Sequence, residues 1–540
     1  MNALLHITLA QINPVVGDIA HNTKKIKDVW SAAPASTDLV IFPELSVCGY
    51  PAEDLILNTA FVDAAKKAVK ALARESKNHV PWIVVGAPHH SRGKTYNALH
   101  IIGDGKIQKT IRKHHLANSG VFDEERIFSA GPLPTPIDFK GHKIGFMICQ
   151  DTWHPGPAES LKNKGAEILI SINASPYEFD KYKQRIAVIR ARVTETGLPF
   201  IYVNQYGGQD DLVFDGSSLV MDEKGTILWQ AAEFDECIHA IQYPFSSPPS
   251  QEIKESLRTE SIYNALRTGL RDYVGKNGFT GVLLGLSGGV DSALTAALAV
   301  DALGSENVHA VFMPSKYTSD ESAEDARALA TNLSIKCDTI SIAQQVIAFE
   351  NELASYFTPQ TPDITFQNIQ SRIRGVTLMA LSNATGKMVL STGNKSEIAT
   401  GYATLYGDMC GGYNPLKDVY KTQVYELARW RNAQNAVIPE RIITKAPTAE
   451  LKPDQTDQDT LPPYDVLDAI LECLVERDMG VKDTVAQGHD KQAVIKISRM
   501  LAISEYKRQQ AAPGPKISTR AFTRERRWPM TNGFTKIIEK

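Results

Sequence analysis

Cutting a carboxamide takes a nucleophile, a base and a group that stabilises the oxyanion. Cys149 ends an apolar run, Ile144–Gly145–Phe146–Met147–Ile148, and precedes Gln150–Asp151–Thr152–Trp153, so it sits at a strand-to-loop junction. A lone cysteine there is ordinarily a small buried hydrophobe. Two other segments change that reading. Phe42–Pro43–Glu44–Leu45, followed by Gly49–Tyr50–Pro51, puts a carboxylate at the end of an expected strand, Asp38–Phe42. Arg112–Lys113–His114–His115–Leu116, followed by Gly120–Val121–Phe122–Asp123–Glu124, supplies a lysine.

A different chemistry is written at Leu284–Gly285–Leu286–Ser287–Gly288–Gly289–Val290–Asp291–Ser292–Ala293. A strand ends at Leu286, a glycine-rich turn follows, and a helix begins at about Asp291. Glycines let the backbone approach an anion, and turn N–H groups with a helix N-terminus hold phosphate. Ser287 and Ser292 add hydroxyls. Asp291 puts a carboxylate beside that phosphate, where Mg²⁺ would offset the like charges. The string is neither GxxxxGK[ST] nor GxGxxG.

The elements that must carry these residues form two groups. Before a Pro/Ser-rich stretch at 244–256, short β-rich runs recur: Asp38–Phe42, Trp82–Gly86, Ile144–Cys149, Ile168–Asn173, Phe200–Asn204 and Ser218–Met221. Helical patterns such as Phe61–Ser76 and Tyr182–Thr196 separate several of them. After it, expected strands Gly281–Leu286, Val308–Met313, Lys336–Ser341 and Met388–Thr392 alternate with helices Asp291–Leu303, Ala323–Leu333 and Ile369–Thr385. That rhythm implies a parallel, doubly wound sheet. The expected domains are therefore 1–243 and 257–540, with 244–256 as linker.

The chain has 540 residues, 43% apolar and 22% charged, with a net charge of −3. This is the balance of a globular protein and argues against a nucleic-acid or anionic-membrane partner. No run approaches ~18 apolar residues, and the N-terminus reads straight into a strand without a signal pattern, so a cytoplasmic location is expected. The six cysteines are scattered and form no CxxC pair, and the thirteen histidines show no HxxxH or HxH spacing. No zinc or iron site is expected. The tail from Lys507 is locally basic, and charge alone favours a solvated surface over a phosphate patch.

Glu44, Lys113 and Cys149, in this order, resemble the nitrilase (carbon–nitrogen hydrolase) superfamily, which implies an αββα sandwich. Asn173–Ala174–Ser175–Pro176–Tyr177 and Phe214–Asp215–Gly216–Ser217–Ser218 fit the same resemblance. The loop Ser287–Gly288–Gly289–Val290–Asp291–Ser292 resembles that of the N-type ATP pyrophosphatases, a Rossmann-like α/β fold. With Asn368–Ile369–Gln370–Ser371–Arg372, Thr392–Gly393–Asn394–Lys395–Ser396–Glu397, Asp408, Lys417–Asp418–Val419–Tyr420–Lys421, Ala446–Pro447–Thr448 and Asp454–Gln455–Thr456–Asp457, nearly the whole chain is similar to the glutamine-dependent NAD⁺ synthetases.

The resemblance implies that Glu44 is general base, Cys149 nucleophile and Lys113 oxyanion stabiliser, with Glu124 assisting and Lys113 also favouring the Cys149 thiolate. It implies glutamine contacts at Ser119, Ser175 and Lys181. ATP contacts fall at Gly285, Leu286, Ser287, Gly288, Gly289, Val290, Asp291, Ser292, Thr392, Lys421 and Thr448. Deamido-NAD⁺ contacts fall at Asn368, Arg372, Glu397, Asp408 and Lys507, with most of the other basic residues of the tail solvated. Mg²⁺ would sit on Asp291 and Glu397. The implied reaction adenylates deamido-NAD⁺ with ATP, and ammonia from glutamine, led through an internal tunnel, displaces AMP. The implied assembly is a homo-oligomer, a dimer through the synthetase domains or an octamer.

Three positions depart from the family's strings: Ser119 stands where tyrosine is usual, Gln150 where glutamate is, and Gln458 where glutamate is. The first two bear on glutamine's charged end. An ammonia-dependent NAD⁺ synthetase with a vestigial glutaminase domain is therefore the alternative, and a non-catalytic nucleotide-binding module the third reading.

Overall fold

The computed structural model describes residues 4–245, 256–453 and 455–534. The Pro/Ser-rich stretch from 246 to 255, and Asp454 of the motif quoted above, lie outside the described residues. The chain divides into two compact units, Met1–Ser256 and Leu257–Lys540.

The first unit is built on two six-stranded sheets. One runs, edge to edge, Cys237–Tyr243, Leu5–Gln11, Leu39–Ile41, Trp82–Ser91, Lys94–Gly103 and Lys106–Arg112. The other runs Ile227–Gln230, Leu219–Met221, Phe200–Asn204, Ile168–Asn173, His142–Ile148 and Ile137–Phe139. In each, a parallel centre is flanked by antiparallel strands. Alternation along the strands decides the layers. Leu39 and Ile41 face the core between the sheets, with Ile144, Phe146, Ile148, Ile170 and Ile172. Val40 and Phe42 face the helices Ile19–Ala32 and Thr59–Glu75 through Trp30, Val69 and Leu72. On the far side, Met147, Leu169 and Phe200 pack under Pro155–Asn163 and Lys181–Thr196. The order is helix, sheet, sheet, helix.

In the second unit four strands are all parallel, in the order Lys336–Thr339, Val308–Phe312, Val282–Leu286, Met388–Leu390. In chain order this is 3-2-1-4. The strand order reverses beside Val282–Leu286, and in doubly wound sheets ligands bind at the carboxyl ends of the strands at that point. The helix Val290–Leu303 rises from this end and is almost wholly buried. A second core joins Ile398 and Tyr420 to the helices Tyr464–Leu471 and Lys491–Ile503. Asn368, expected in an opening turn, lies inside the helix Ile364–Thr385. That helix starts soon after Pro362, whose carbonyl accepts from Thr365 N and whose fixed φ suits a helix entrance. No described helix is long and apolar enough to cross a membrane.

Candidate functional site

Each of the three amidase residues follows the carboxyl end of a strand: Glu44 after Leu39–Ile41, Lys113 directly after Lys106–Arg112, Cys149 directly after His142–Ile148. Two of the turns are strained. Leu45 has φ +44° and Cys149 φ +43°, left-handed conformations that cost an L-residue about 1–2 kcal/mol. The Glu44–Leu45 turn fits only because residue 86 is glycine, since a Cβ there would lie 2.1 Å from Leu45 N.

The lysine ties the set together. Lys113 Nζ donates to Glu44 Oε1 at 2.7 Å and to Glu124 Oε1 at 2.9 Å, and all three side chains are buried. Asn97 Nδ2 donates to both carboxylates, at 2.7 and 3.2 Å. Tyr50 Oη donates to Glu124 Oε1 at 3.2 Å, Ala117 N to Glu124 Oε2 at 2.8 Å and Ala174 N to Glu44 Oε2 at 3.0 Å. Burial raises the Glu44 pKa against the pull of Lys113, and Glu124 raises it further. Lys113 is held cationic: burial alone would lower its pKa, but Glu124 and Glu44 outweigh it.

Lys113 favours a Cys149 thiolate, as expected, but burial and the Glu44 carboxylate outweigh it and push the thiol's pKa up. Resting Cys149 is therefore a thiol whose proton needs a base. Sequence reading gave Glu124 an assisting part and missed Asn97 and Asp151. The signal for Asp151 was its place two residues past Cys149.

The glutamine-contact candidates differ in exposure and partners. Ser119 is exposed. Ser175 is buried, its N–H on Asn204 Oδ1 at 2.9 Å and its hydroxyl 3.5 Å from Arg185 Nη2. Arg185 is fixed by two 2.9 Å bonds to Asp215. Lys181 lies over the Trp153 ring, Nζ 5.0 Å from its centroid. Gln150 Nε2 is 3.3 Å from His154 Nε2.

In the second unit, a cavity of about 280 Å³ opens at the strand-order reversal. Residues 285–292 line it, with Thr392, Lys421 and Thr448. Gly288 has φ +78°, and a Cβ on it would lie 2.9 Å from Ser322, so the loop needs glycine there. Ser292 Oγ donates to Gly289 O at 3.0 Å and accepts from Ser287 N at 3.3 Å, which shapes the turn ahead of the helix.

Glu397 and Asp408 also line the cavity. Glu397 closes a capping box with Asn394, accepting from Asn394 N at 3.4 Å while Asn394 Oδ1 accepts from Glu397 N at 3.0 Å. Asn394 Nδ2 also donates to Asp291 Oδ1 at 2.9 Å. Lys421 Nζ pairs with Asp291 Oδ2 and stands 3.5 Å from Glu397 Oε1. Burial pushes Glu397 up to about 8, with Lys421 opposing and Asp291 adding. Two carboxylates converging on one cationic position are a donor set that Mg²⁺ can take, completed by water and phosphate oxygens. Among the described residues no group of three His, Cys, Asp or Glu side chains suits a metal.

The remaining dinucleotide candidates gather on one loop. Asn368 Oδ1 accepts from Thr404 Oγ1 at 2.8 Å, Asp408 Oδ1 from Thr404 N at 2.6 Å, and Arg372 Nε donates to Leu405 O at 3.2 Å. Lys507 Nζ donates to Gly401 O at 2.8 Å and Ala403 O at 2.7 Å. Part of the basic tail corrects an expectation: Arg508, Lys516 and Arg526 are buried, while Arg520 and Arg524 are half-buried and Arg527 is exposed. Their charges hold the chain's own groups, Arg508 on Ala399 O at 2.7 Å, Lys516 on Ser518 O at 2.6 Å and Arg526 on Glu505 at 2.8 Å.

Comparison with known proteins assigns a family to each unit. Residues 6–245 match the carbon-nitrogen hydrolase family and residues 262–511 the NAD synthase family. The glutamine-dependent NAD(+) synthetase of Rhodobacter capsulatus is 46% identical, over 98% of this chain and 99% of the relative. That of Aquifex aeolicus is 43% identical, over 99% and 100%. Among solved structures, the glutamine-dependent NAD⁺ synthetase of Acinetobacter baumannii in complex with ADP is 42% identical, covers 99% of both chains and has a TM-score of 0.79.

Proposed function

The chain belongs to the glutamine-dependent NAD⁺ synthetases, and on that premise we propose that it makes NAD⁺ from deamido-NAD⁺, ATP and the amide nitrogen of glutamine. One observation carries the reading: a buried lysine–carboxylate network beside a strained cysteine shares the chain with a phosphate-loop cavity.

Glu44 takes the Cys149 proton as sulfur attacks the glutamine amide carbon. The Lys113 ammonium stabilises the oxyanion. Proton return from Glu44 lets ammonia leave, and water, deprotonated by Glu44, then frees glutamate from the thioester. Glutamine lies against Ser119, Ser175 and Lys181.

ATP lies in the cavity, its phosphates on residues 285–292, with Thr392 and Thr448 as further contacts. Asn368, Arg372, Asp408 and Lys507 serve deamido-NAD⁺. The nicotinate carboxylate attacks the α-phosphorus and pyrophosphate leaves. Ammonia then attacks the adenylated carbonyl, AMP leaves, and one proton is lost. Asp291 and Glu397 would hold Mg²⁺, which would offset the charge of the triphosphate and its leaving group. Lys421 leaves these carboxylates for the phosphates.

A cytoplasmic place of action fits a biosynthetic enzyme of this family. Exposed Ile364, Val376 and Met379 on one helix of the second unit favour a homo-oligomer through that unit. The alternative, an ammonia-dependent enzyme with a weakened glutaminase, draws on one observation: the position after Cys149 carries an amide turned to His154, not a carboxylate. Ammonia release from glutamine by the wild type tests the choice. Release that disappears in Cys149→Ala supports the glutaminase, and no release supports the alternative.

A further inference from the structure

Beyond the Glu–Lys–Cys set, the geometry points to Asp151 as a positioning residue: its carboxylate holds the turn that carries Cys149 against the turn that carries Lys113. Asp151 Oδ1 accepts from His114 N at 3.1 Å and His115 N at 2.8 Å, the two residues that follow Lys113. Asp151 Oδ2 accepts from Ile148 N at 3.2 Å, the residue before Cys149. The carboxylate thus spans the Cys149 turn and reaches across to the other.

Among the described residues no other side chain accepts from both turns. Lys113 is anchored through its N–H to Asn97 O at 2.8 Å and through its carbonyl to Gly131 N at 2.7 Å. Among the described residues, every hydrogen bond from the 113–115 turn to the 148–151 turn ends on Asp151. The two turns come from different sheets, so their separation is not set by strand pairing. Cys149 adds a second demand, because its left-handed backbone persists only where the surroundings over-determine it. The bond from Ile148 N to Asp151 is placed to do that.

A carboxylate suits the position better than an amide. Three N–H groups face two oxygens, and an asparagine would turn an NH₂ toward at least one of them. Burial raises the Asp151 pKa to about 6, while the N–H groups of His115, Ile148 and His114, together with Lys113, oppose it. The group is an anion at neutral pH.

This inference rests on the amidase reading, and its test separates the two. In the full-length protein, Asp151→Asn is compared with wild type by ammonia release from glutamine and by alkylation of Cys149 with iodoacetamide, read by peptide mass. Ammonium-supported NAD⁺ synthesis checks that the chain folds. A displacement of about 1 Å between reacting groups costs roughly a hundredfold. The expected result is a kcat for ammonia release down by about that factor, KM within about twofold and alkylation slowed in parallel. Unchanged kcat and alkylation, with only a lower melting temperature, would overturn it. Wild type that releases no ammonia while Asp151→Asn still slows alkylation would remove the glutaminase reading and leave the positioning role. Asp151→Glu, which keeps charge and acceptors but adds a methylene, covers the case in which the asparagine variant misfolds. A wild-type melting temperature with kcat and alkylation still depressed supports positioning, and a lowered melting temperature with kcat and alkylation unchanged overturns it.

Discussion

Both units place a lysine between two carboxylates, and the two arrangements differ in what they leave open. Lys113, Glu44 and Glu124 are 0%, 0% and 3% exposed; each carboxylate accepts from Asn97 and a main-chain N–H group, and Glu124 also from Tyr50. Lys421, Asp291 and Glu397 are 3%, 16% and 18% exposed, and both carboxylates line a cavity. The first lysine is a fixed part of a closed network. The second occupies a cation position that a metal ion and a triphosphate can take over. The same three residue types thus make a permanent catalytic device in one unit and an exchangeable one in the other.

The largest effects should come from breaking each triplet. Cys149→Ala should reduce glutamine-supported NAD⁺ synthesis by roughly a thousandfold or more and leave ammonium-supported synthesis within about twofold. Equal loss with both nitrogen donors, in a folded protein, would contradict the separation. Asp291→Ala and Glu397→Ala should reverse the pattern, cutting synthesis from either donor by about a hundredfold or more while ammonia release from glutamine continues. Stability sharpens the contrast. Lys113→Met leaves two buried carboxylates without their cation and should cost about 3–5 kcal/mol in urea unfolding. Lys421→Met leaves carboxylates that the cavity can hydrate, so the loss should be about 1 kcal/mol. Equal losses would erase the distinction between fixed and exchangeable lysines.

A pH effect of intermediate size follows from Glu397. Its folded pKa, about 8, lies above its ordinary 4.5, so the protonated carboxyl favours the fold. That contribution is present in full below about 4.5 and is lost as pH rises through about 8. Ligand-free protein should therefore lose more stability between about pH 6 and 9 than Glu397→Gln does. Binding of Mg²⁺ with ATP at pH 7 should release a proton from wild type and none at this position in the variant, as read by calorimetry in buffers of different ionisation enthalpy. The smallest effect concerns Ser119→Tyr with Gln150→Glu. A hydrogen bond to a charged group contributes ~1.5–3 kcal/mol, so the double change should lower KM for glutamine about tenfold with ammonium-supported synthesis unchanged. A raised KM would mean that other residues already hold glutamine's charged end.

The sequence made the parts legible where one chain segment carries the signal. The SGGVDS string (287–292) sits on a strand–turn–helix, because its glycines answer a local demand for positive φ and close approach. The short β-rich runs found the central strands of both sheets of the first unit but not the outer strands Lys94–Gly103, Lys106–Arg112 and Cys237–Tyr243, and Trp82–Ser91 runs past its expected end at Gly86 through Pro88. What stayed hidden depends on distant chain meeting. Asn97 and Asp151 carry no motif, and their roles appear only when three strand ends converge. The Cys149 thiol's raised pKa is likewise a property of enclosure, which residue types near it in sequence do not encode. The basic tail misled for the same reason, since its charges are spent on carbonyls and a carboxylate inside the fold.

The central claim is that one chain couples amide hydrolysis in its first unit to ATP cleavage in its second. The direct measurement supplies glutamine carrying heavy nitrogen in its amide, unlabelled ammonium at a trace level, deamido-NAD⁺, ATP and Mg²⁺, and weighs the NAD⁺ formed while AMP and pyrophosphate are counted. The account predicts NAD⁺ with heavy nitrogen in its carboxamide and one AMP and one pyrophosphate for each. Unlabelled NAD⁺, or ADP and inorganic phosphate as the matching products, would contradict it.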